Sequence, residues 1–276
     1  QKIEIKPKIE SKIGEKSTGS LEDIKEFYDI LTHDQKILCP ITYGVIDFGK
    51  IIKFNSAEEE KKWNLGKSKE EDDEVSNDVK YNEKICDAVH KCINEYGRDR
   101  VLLFANSVKH SQELALIFRI KYGYDTDVEE GGKGLSESVD GMTNPGVRRK
   151  IISDFREGKI KILSNFGVLT TGFDVPKIDT LFVCRDVGSN ALLTQMIGRG
   201  QRGETPGGTK DLWLIMTDFP HVSSKGEKLR LGWEALAEGW EKFSDEIKNN
   251  LNLSDHEIDI EKTETDSEKD LVDHQF

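Results

Sequence analysis

Gln195, Arg199 and Arg202 stand at spacings of four and three in LLTQMIGRGQRG (192–203), which follows a short apolar run, TLFVCR (180–185). On a helix the three face one way, and two guanidiniums on one face call for an anionic partner such as a phosphate. Two other polar clusters also follow apolar runs. Asn106 and Ser107 come directly after VLLFA (101–105) at a helix start, where open N–H groups and a hydroxyl suit a phosphate. Thr170, Thr171, Gly172 and Asp174 form a small polar turn in GVLTTGFDVP (167–176), after KIKILSNF (159–166). Each cluster alone has a plain structural explanation, since paired arginines usually make surface contacts and Gly-Phe-Asp-Val-Pro is by composition a turn. Cys86 and His90 lie one helical turn apart, but no further Cys or His pair follows at zinc spacing, so they are read as a packed helix face and no metal site is expected. His110 and His221 are read as surface residues.

The elements that must position these clusters alternate along the chain. YNEKICDAVHKCINEY (81–96) has the spacing of an amphipathic helix ended by Gly97, and VLLFA is short and wholly apolar, as a buried parallel strand is. Ser107 can cap a helix over 108–122 that stops at Gly123. A strand around Tyr124–Glu129, a helix opened by Pro145 in PGVRRKIISDFREG, strands over 159–166 and 180–185, a helix over 191–200 and a strand over 211–218 follow. Strand and helix in alternation imply crossover connections and a parallel sheet covered on both faces, an α/β architecture in which ligands gather at the carboxyl ends of the strands. A last helix is expected over 231–247, with Trp233, Leu236, Trp240 and Phe243 on one stripe that packs on the domain. Ahead of residue 55 the pattern is weaker. Helical spacing covers 21–31, and strand-like runs over 36–54 are broken at Pro40 and Gly44.

The chain has 276 residues and a formal net charge of -12, which taken whole argues against a nucleic-acid partner. The charge is unevenly placed. Segment 56–80 holds 9 acidic and 5 basic residues, segment 254–276 holds 9 and 2, and residues 101–220 hold 15 of each. The best-patterned part is therefore neutral and free to present a local basic face. The acidic segments have the composition of solvated chain and read as a flexible insertion (56–80) and a tail (251–276), flanking a connecting lobe (1–55) and the main domain (81–250). No run of about 18 apolar residues exists to span a bilayer, and four cysteines without a C-x-x-C pair fit a reducing compartment, so a cytoplasmic protein without a membrane partner is expected.

In order and wording, three segments resemble motifs of the C-terminal RecA-like domain of superfamily 2 helicases and translocases over roughly 81–220. VLLFANSVKHSQELA is similar to motif IV, ILSNFGVLTTGFDVPKIDTLFVCR to motif V, and LLTQMIGRGQRG to motif VI, of the form Q-x-x-G-R-x-x-R. LTTGFDVP is nearer to the DNA translocases of restriction-enzyme motors and excision-repair helicases than to DEAD-box RNA helicases. The resemblance implies a RecA-like parallel sheet with a small N-terminal lobe, and it assigns roles. Arg202 matches the arginine finger on the ATP γ-phosphate, Arg199 the second phosphate arginine, and Gln195 the residue coupling hydrolysis to closure. Gly172 and Asp174 match the nucleotide pair, and Asn106, Ser107, Thr170 and Thr171 match positions that hold nucleic-acid phosphates. Arg148, with Arg149 as its alternative, could add a backbone contact.

The departures matter as much. Neither a phosphate loop, G-x-x-x-x-G-K-[ST], nor an acidic Mg²⁺ box, D-E-x-[DH], occurs in the sequence. Phe166 and Gly167 stand where many helicases have Thr and Asp. With the Gln1 start, this implies that an N-terminal RecA-like domain is absent, that ATP and Mg²⁺ belong to the full-length protein, and that the chain alone is inactive. The expected partners are DNA, that N-terminal domain and a nuclease or other defence or repair subunit. An RNA helicase, or a non-catalytic RecA-like docking module for nucleic acid or protein, are the alternatives.

Overall fold

Runs in which nearly every residue is apolar become the middle of a sheet: β3 (Val101–Ala105), β6 (Ile160–Asn165), β7 (Thr180–Cys184) and β8 (Leu212–Asp218). In the computed structural model, which describes residues 28–47, 52–53, 56–58, 61, 78–169, 175, 177–185, 187, 190–218, 221–222, 237 and 240–254, these strands are mutually parallel. Their alternate side chains serve two cores. Leu102, Phe104, Leu163, Leu181, Val183 and Leu214 face one side, and Val101, Leu103, Ile162, Phe182, Cys184 and Ile215 the other.

Helices cover both sides, because a strand buried on two faces needs an apolar stripe against each. On the second side lie α1 (Val79–Asn94), through Ile85, Val89 and Cys92, and α2 (Val108–Tyr122), through Leu114 and Phe118. On the first lie α3 (Pro145–Glu157), through Phe155, and α4 (Asn190–Ile197), through Leu193, Met196 and Ile197. The ends follow local chemistry. Ser107 caps α2 by accepting the His110 N–H at 3.0 Å, Pro145 opens α3, and Gly123 and Gly158 close α2 and α3 in the left-handed region.

The whole sheet, counted among the described residues, has eight strands in the order β10 (Glu241–Lys242), β1 (Ile41–Asp47), β8, β7, β3, β6, β5 (Gly134–Val139) and β4 (Asp125–Thr126). β1 (Ile41–Asp47) pairs with β8 in parallel from Ile41↔Leu212 to Asp47↔Asp218, so residues expected in a connecting lobe belong to the main sheet. It runs unbroken through Gly44, where a Cβ would collide with Leu253 and Phe243; glycine there permits close packing rather than ending a strand. β5 (Gly134–Val139) was hidden by its serines. Ser136 is buried beneath α2, and β5 pairs with β6 in parallel and with the short β4 (Asp125–Thr126) in antiparallel fashion. The strand expected over Tyr124–Glu129 thus shrinks to two residues, followed by a 3₁₀ turn at Val128–Glu130. A two-stranded pair, β2 (Ile52–Lys53) with β9 (His221–Val222), lies apart from the main sheet.

The helix expected over 231–247 is corrected in its described part. Glu241–Lys242 is β10, hydrogen-bonded to β1, and a helix, α5 (Asp245–Leu251), begins only after the Ser244 cap. Of the expected apolar stripe, Trp233 and Leu236 lie outside the described residues, while Phe243 is buried against Trp213, with ring centroids 4.8 Å apart, and Trp240 meets Tyr43 at 5.9 Å, both ahead of the helix. Residues 1–27 and 255–276, and most of 56–77, lie outside the described residues, and with them most of the expected insertion and tail. No described helix is long and apolar enough to cross a membrane.

Candidate nucleotide and nucleic-acid edge

Because β1, β3, β5, β6, β7 and β8 run the same way, their carboxyl ends share one edge, tied by the register Ala105↔Cys184, Phe104↔Asn165 and Val139↔Asn165. α2, α3 and α4 each begin just after one of these ends. Their first turns carry no acidic residue, so the open N–H groups meet no competing carboxylate from their own helices.

At the end of β3, Asn106 is buried and its backbone N–H donates to His110 Nδ1 at 3.1 Å. This overturns the reading of His110 as a surface residue: it is 0% exposed, and burial pushes its imidazole down to about 4. It is therefore neutral, with Nδ1 accepting and the proton on Nε2. Ser107 is half-buried, and its oxygen is used in the cap.

At the end of β5, Asp140 organises a turn. Its Oδ1 accepts the N–H groups of Met142 at 2.8 Å and Thr143 at 2.9 Å, and its Oδ2 accepts the Gln112 amide at 3.1 Å. Burial alone would push its pKa up, but these hydrogen bonds outweigh burial and hold the carboxyl below the usual range. The Arg148 guanidinium turns inward to the carbonyls of Asp140 at 2.8 Å, Gly141 at 3.4 Å and Thr143 at 3.3 Å. The residue expected to touch a nucleic-acid backbone is thus engaged with its own loop, and its alternative, Arg149, is exposed.

After β6, Phe166 lies under the Arg185 guanidinium, 5.5 Å from the ring centroid, which places an arginine at the end of β7 that the motif reading had not used. Thr170, Thr171, Gly172 and Asp174 lie outside the described residues.

α4 ends at Ile197, earlier than expected. A tightened turn follows, with Arg199 N–H bonded to Met196 O at 3.1 Å and Gly200 N–H to Ile197 O at 3.0 Å, so Gln195, Arg199 and Arg202 do not share one helical face. Gln195 is exposed on the helix, Arg199 is in the turn, and Arg202 is in the extended segment beyond; both arginines are half-buried. That segment is fastened from two sides. The Gly203 N–H donates to Ile37 O at 3.0 Å, the Thr205 N–H to Lys36 O at 3.0 Å, and the Thr209 N–H to Arg202 O at 2.9 Å.

Among the described residues no group of three His, Cys, Asp or Glu is placed to hold a metal ion. The four cysteines are buried and unpaired, and burial raises every thiol, Cys39 to about 11 and Cys92 to about 12. Sequence reasoning missed His110, Asp140 and the freedom of Arg149. Only Asp140 carried a local signal, an Asp three residues ahead of Thr143 and just before a helix-opening proline.

A parallel α/β sheet with three helix starts and a glycine-arginine segment on its carboxyl edge is the architecture of a RecA-like motor domain. Residues 82–204 match the family model for the helicase conserved C-terminal domain, and this part of the chain resembles the C-terminal RecA-like domains of superfamily 2 helicases. The irc3 protein of Schizosaccharomyces pombe, provisionally named a mitochondrial ATP-dependent helicase, is 41% identical over 106 residues, which cover 38% of this chain and 16% of that protein. IRC3 of Saccharomyces cerevisiae, provisionally named an ATP-dependent helicase, is 38% identical over 101 residues, or 37% of this chain and 13% of its own length. The chain therefore spans less than a fifth of these relatives. A structure of a fragment provisionally named as an HsdR subunit of a type I restriction enzyme from Vibrio vulnificus YJ016 is 17% identical, covering 71% of this chain and 39% of that one at a TM-score of 0.44.

Proposed function

We propose that the chain is the second motor domain of an ATP-dependent superfamily 2 helicase or translocase acting on DNA, completing an ATP site with an N-terminal RecA-like domain. The observation that carries this reading is the fastened Arg202 segment. A guanidinium that stabilises charge in phosphoryl transfer must be held in place before the reaction, and hydrogen bonds from Gly203 to Ile37 and from Thr209 to Arg202 hold the backbone on both sides of it. Arg202 acts as the arginine finger, Arg199 lies near the phosphates, Gln195 couples hydrolysis to closure, and Gly172 with Asp174 meets the nucleotide. The metal and the phosphate loop fall to the partner domain.

Nucleic acid lies along the same carboxyl edge. Ser107, Thr170 and Thr171 contact phosphates, and such contacts position a strand without reading its sequence. The Asn106 N–H is committed to His110, so Asn106 acts by shaping the turn. The family wording of LTTGFDVP favours DNA, with a restriction or repair assembly as the setting.

In the full-length protein, Arg202→Ala should lower nucleic-acid-stimulated ATP turnover by about 10³-fold or more while ATP binding is kept. Near wild-type turnover would overturn the arginine-finger role. Stimulation by DNA but not by RNA of matched length supports the substrate assignment, and the opposite result makes the protein an RNA helicase.

A further inference from the structure

Met142 is 89% exposed, yet it stands on a turn held by a network of hydrogen bonds. Asp140 binds the N–H groups of Met142 and Thr143, the Asp140 N–H donates to the Thr143 hydroxyl at 3.0 Å, and the inward-turned Arg148 guanidinium locks the carbonyls of Asp140, Gly141 and Thr143. The loop does not leave an apolar tip in water for want of order; it is built to project it. Val147, also exposed, is on the first turn of α3.

Beside them stands an unusual charge. Arg149 makes no hydrogen bond or ion pair among the described residues, whereas Lys150 next to it pairs with Asp154 at 2.7 Å. Its guanidinium lies over the first turn of α3, near Gly146. The only carboxylate in this stretch, Asp140, is buried and consumed by the turn. An apolar tip and an unpaired guanidinium thus share one rigid loop at the carboxyl edge, with no exposed negative charge between them.

We propose that this loop is a single-strand docking surface, in which Arg149 takes a phosphate and Met142 lies against the face of an unstacked base. The inference rests on the nucleic-acid reading of the edge and adds a base contact to it. A single strand suits both groups, because a flexible backbone can bring one phosphate to a guanidinium while turning its base onto an apolar side chain. The contact is blind to base identity, since a thioether offers no directional hydrogen bond. A stacked duplex hides its base faces and would leave Met142 in water.

The test uses the full-length protein and two labelled oligodeoxynucleotides of equal length, one of thymidine and one abasic, both single-stranded. Met142→Ala should weaken binding to the thymidine strand by about 3- to 10-fold, less than loss of an aromatic stack costs, and leave the abasic strand unchanged. Arg149→Ala should weaken both strands and reduce the slope of log affinity against log salt by about 0.7, one phosphate contact. Since both side chains are exposed, the melting temperature should not move. Met142→Ala binding both strands like the wild type, or losing equally on both, overturns the base contact. An unchanged salt slope in Arg149→Ala overturns the phosphate contact. Should the wild type bind neither strand, the nucleic-acid reading itself fails. If Met142→Ala instead lowers ATP affinity with strand binding intact, the loop faces the partner motor domain and the proposal is wrong.

Discussion

His110 Nδ1 receives the backbone N–H of Asn106 at 3.1 Å while the backbone N–H of His110 is received by the hydroxyl oxygen of Ser107, so one buried residue closes the turn between β3 and α2 with its ring in one direction and its backbone in the other. The geometry needs a neutral ring, because a protonated Nδ1 has no lone pair for Asn106. The end of β3, and whatever Ser107 contacts, is therefore tied to the charge state of a group that never reaches solvent.

This coupling has a defined pH window. His110 titrates near 6.5 when exposed and at about 4 in the fold, because burial disfavours the charged ring. The unfolded chain then takes the proton first, so His110 leaves stability unchanged above pH 6.5 and lowers it as pH falls from there to about 4, by about 3 kcal/mol in all. His90, lowered chiefly by burial and then by Lys133, acts in the same direction, so the wild-type slope alone is not diagnostic. His110→Gln should lower the melting temperature at pH 7 yet flatten its dependence between pH 6.5 and 4.5. Parallel slopes for the two proteins would show that the ring is not the titrating group.

Gly203 offers a test of how the Arg202 segment is held. A Cβ at this position would come closer than 3.0 Å to the backbone oxygens of both Lys36 and Leu38, and backbone cannot swing aside as a side-chain tip can. Gly203→Ala must therefore lift the segment from residues 36–38 or push those residues away, either of which breaks the Gly203–Ile37 hydrogen bond. A loss of about 2 kcal/mol in urea unfolding is expected. On the role proposed for Arg202, ATP turnover of the full-length protein should fall by about 10-fold or more with Arg202 still present, since misplacing a catalytic group costs that much. Full stability and turnover would mean that the arginine segment is not positioned by this contact.

Strands whose residues are apolar on both faces, and helices with a cap at each end, could be read from the residues because each signal is local: VLLFA is β3 to the residue, and Ser107 with Gly123 bounds α2. What could not be read depends on partners distant in sequence. Gly44 looks like a strand breaker until Phe243 and Leu253, 199 and 209 residues away, are packed against it, and β5 looks like loop because the close approach of α2 demands serines. The site divides in the same way. Asn106, Ser107, Arg199 and Arg202 stand out as candidates by type and spacing, but no spacing rule says that Arg148 turns inward and Arg149 outward, because that choice is made by the carbonyls of the Asp140 turn. Burial of His110 was equally invisible, for a histidine two residues into a polar helix start has the composition of a surface.

Asp140 is the group on which the β5–α3 loop depends, and its two oxygens can be tested separately. Alanine at this position leaves the N–H groups of Met142 and Thr143 without their acceptor and releases the Gln112 amide, so Asp140→Ala should cost about 2 kcal/mol in urea unfolding at pH 7. Asp140→Asn retains one carbonyl oxygen for the two N–H groups, and Gln112 can turn its own oxygen toward the new amide. It should therefore recover more than half of that loss. Because the Asp140 carboxyl is held below the usual range, its contribution is present above pH 4 and is lost as pH falls further, so the gap between wild type and Asp140→Ala should narrow in acid while the asparagine variant keeps its stability relative to alanine. If asparagine is as damaging as alanine at pH 7, the negative charge rather than the shape of the turn holds the loop. The projecting Met142 would then depend on electrostatics, and its contact with a strand should weaken in the asparagine variant as much as in the alanine one.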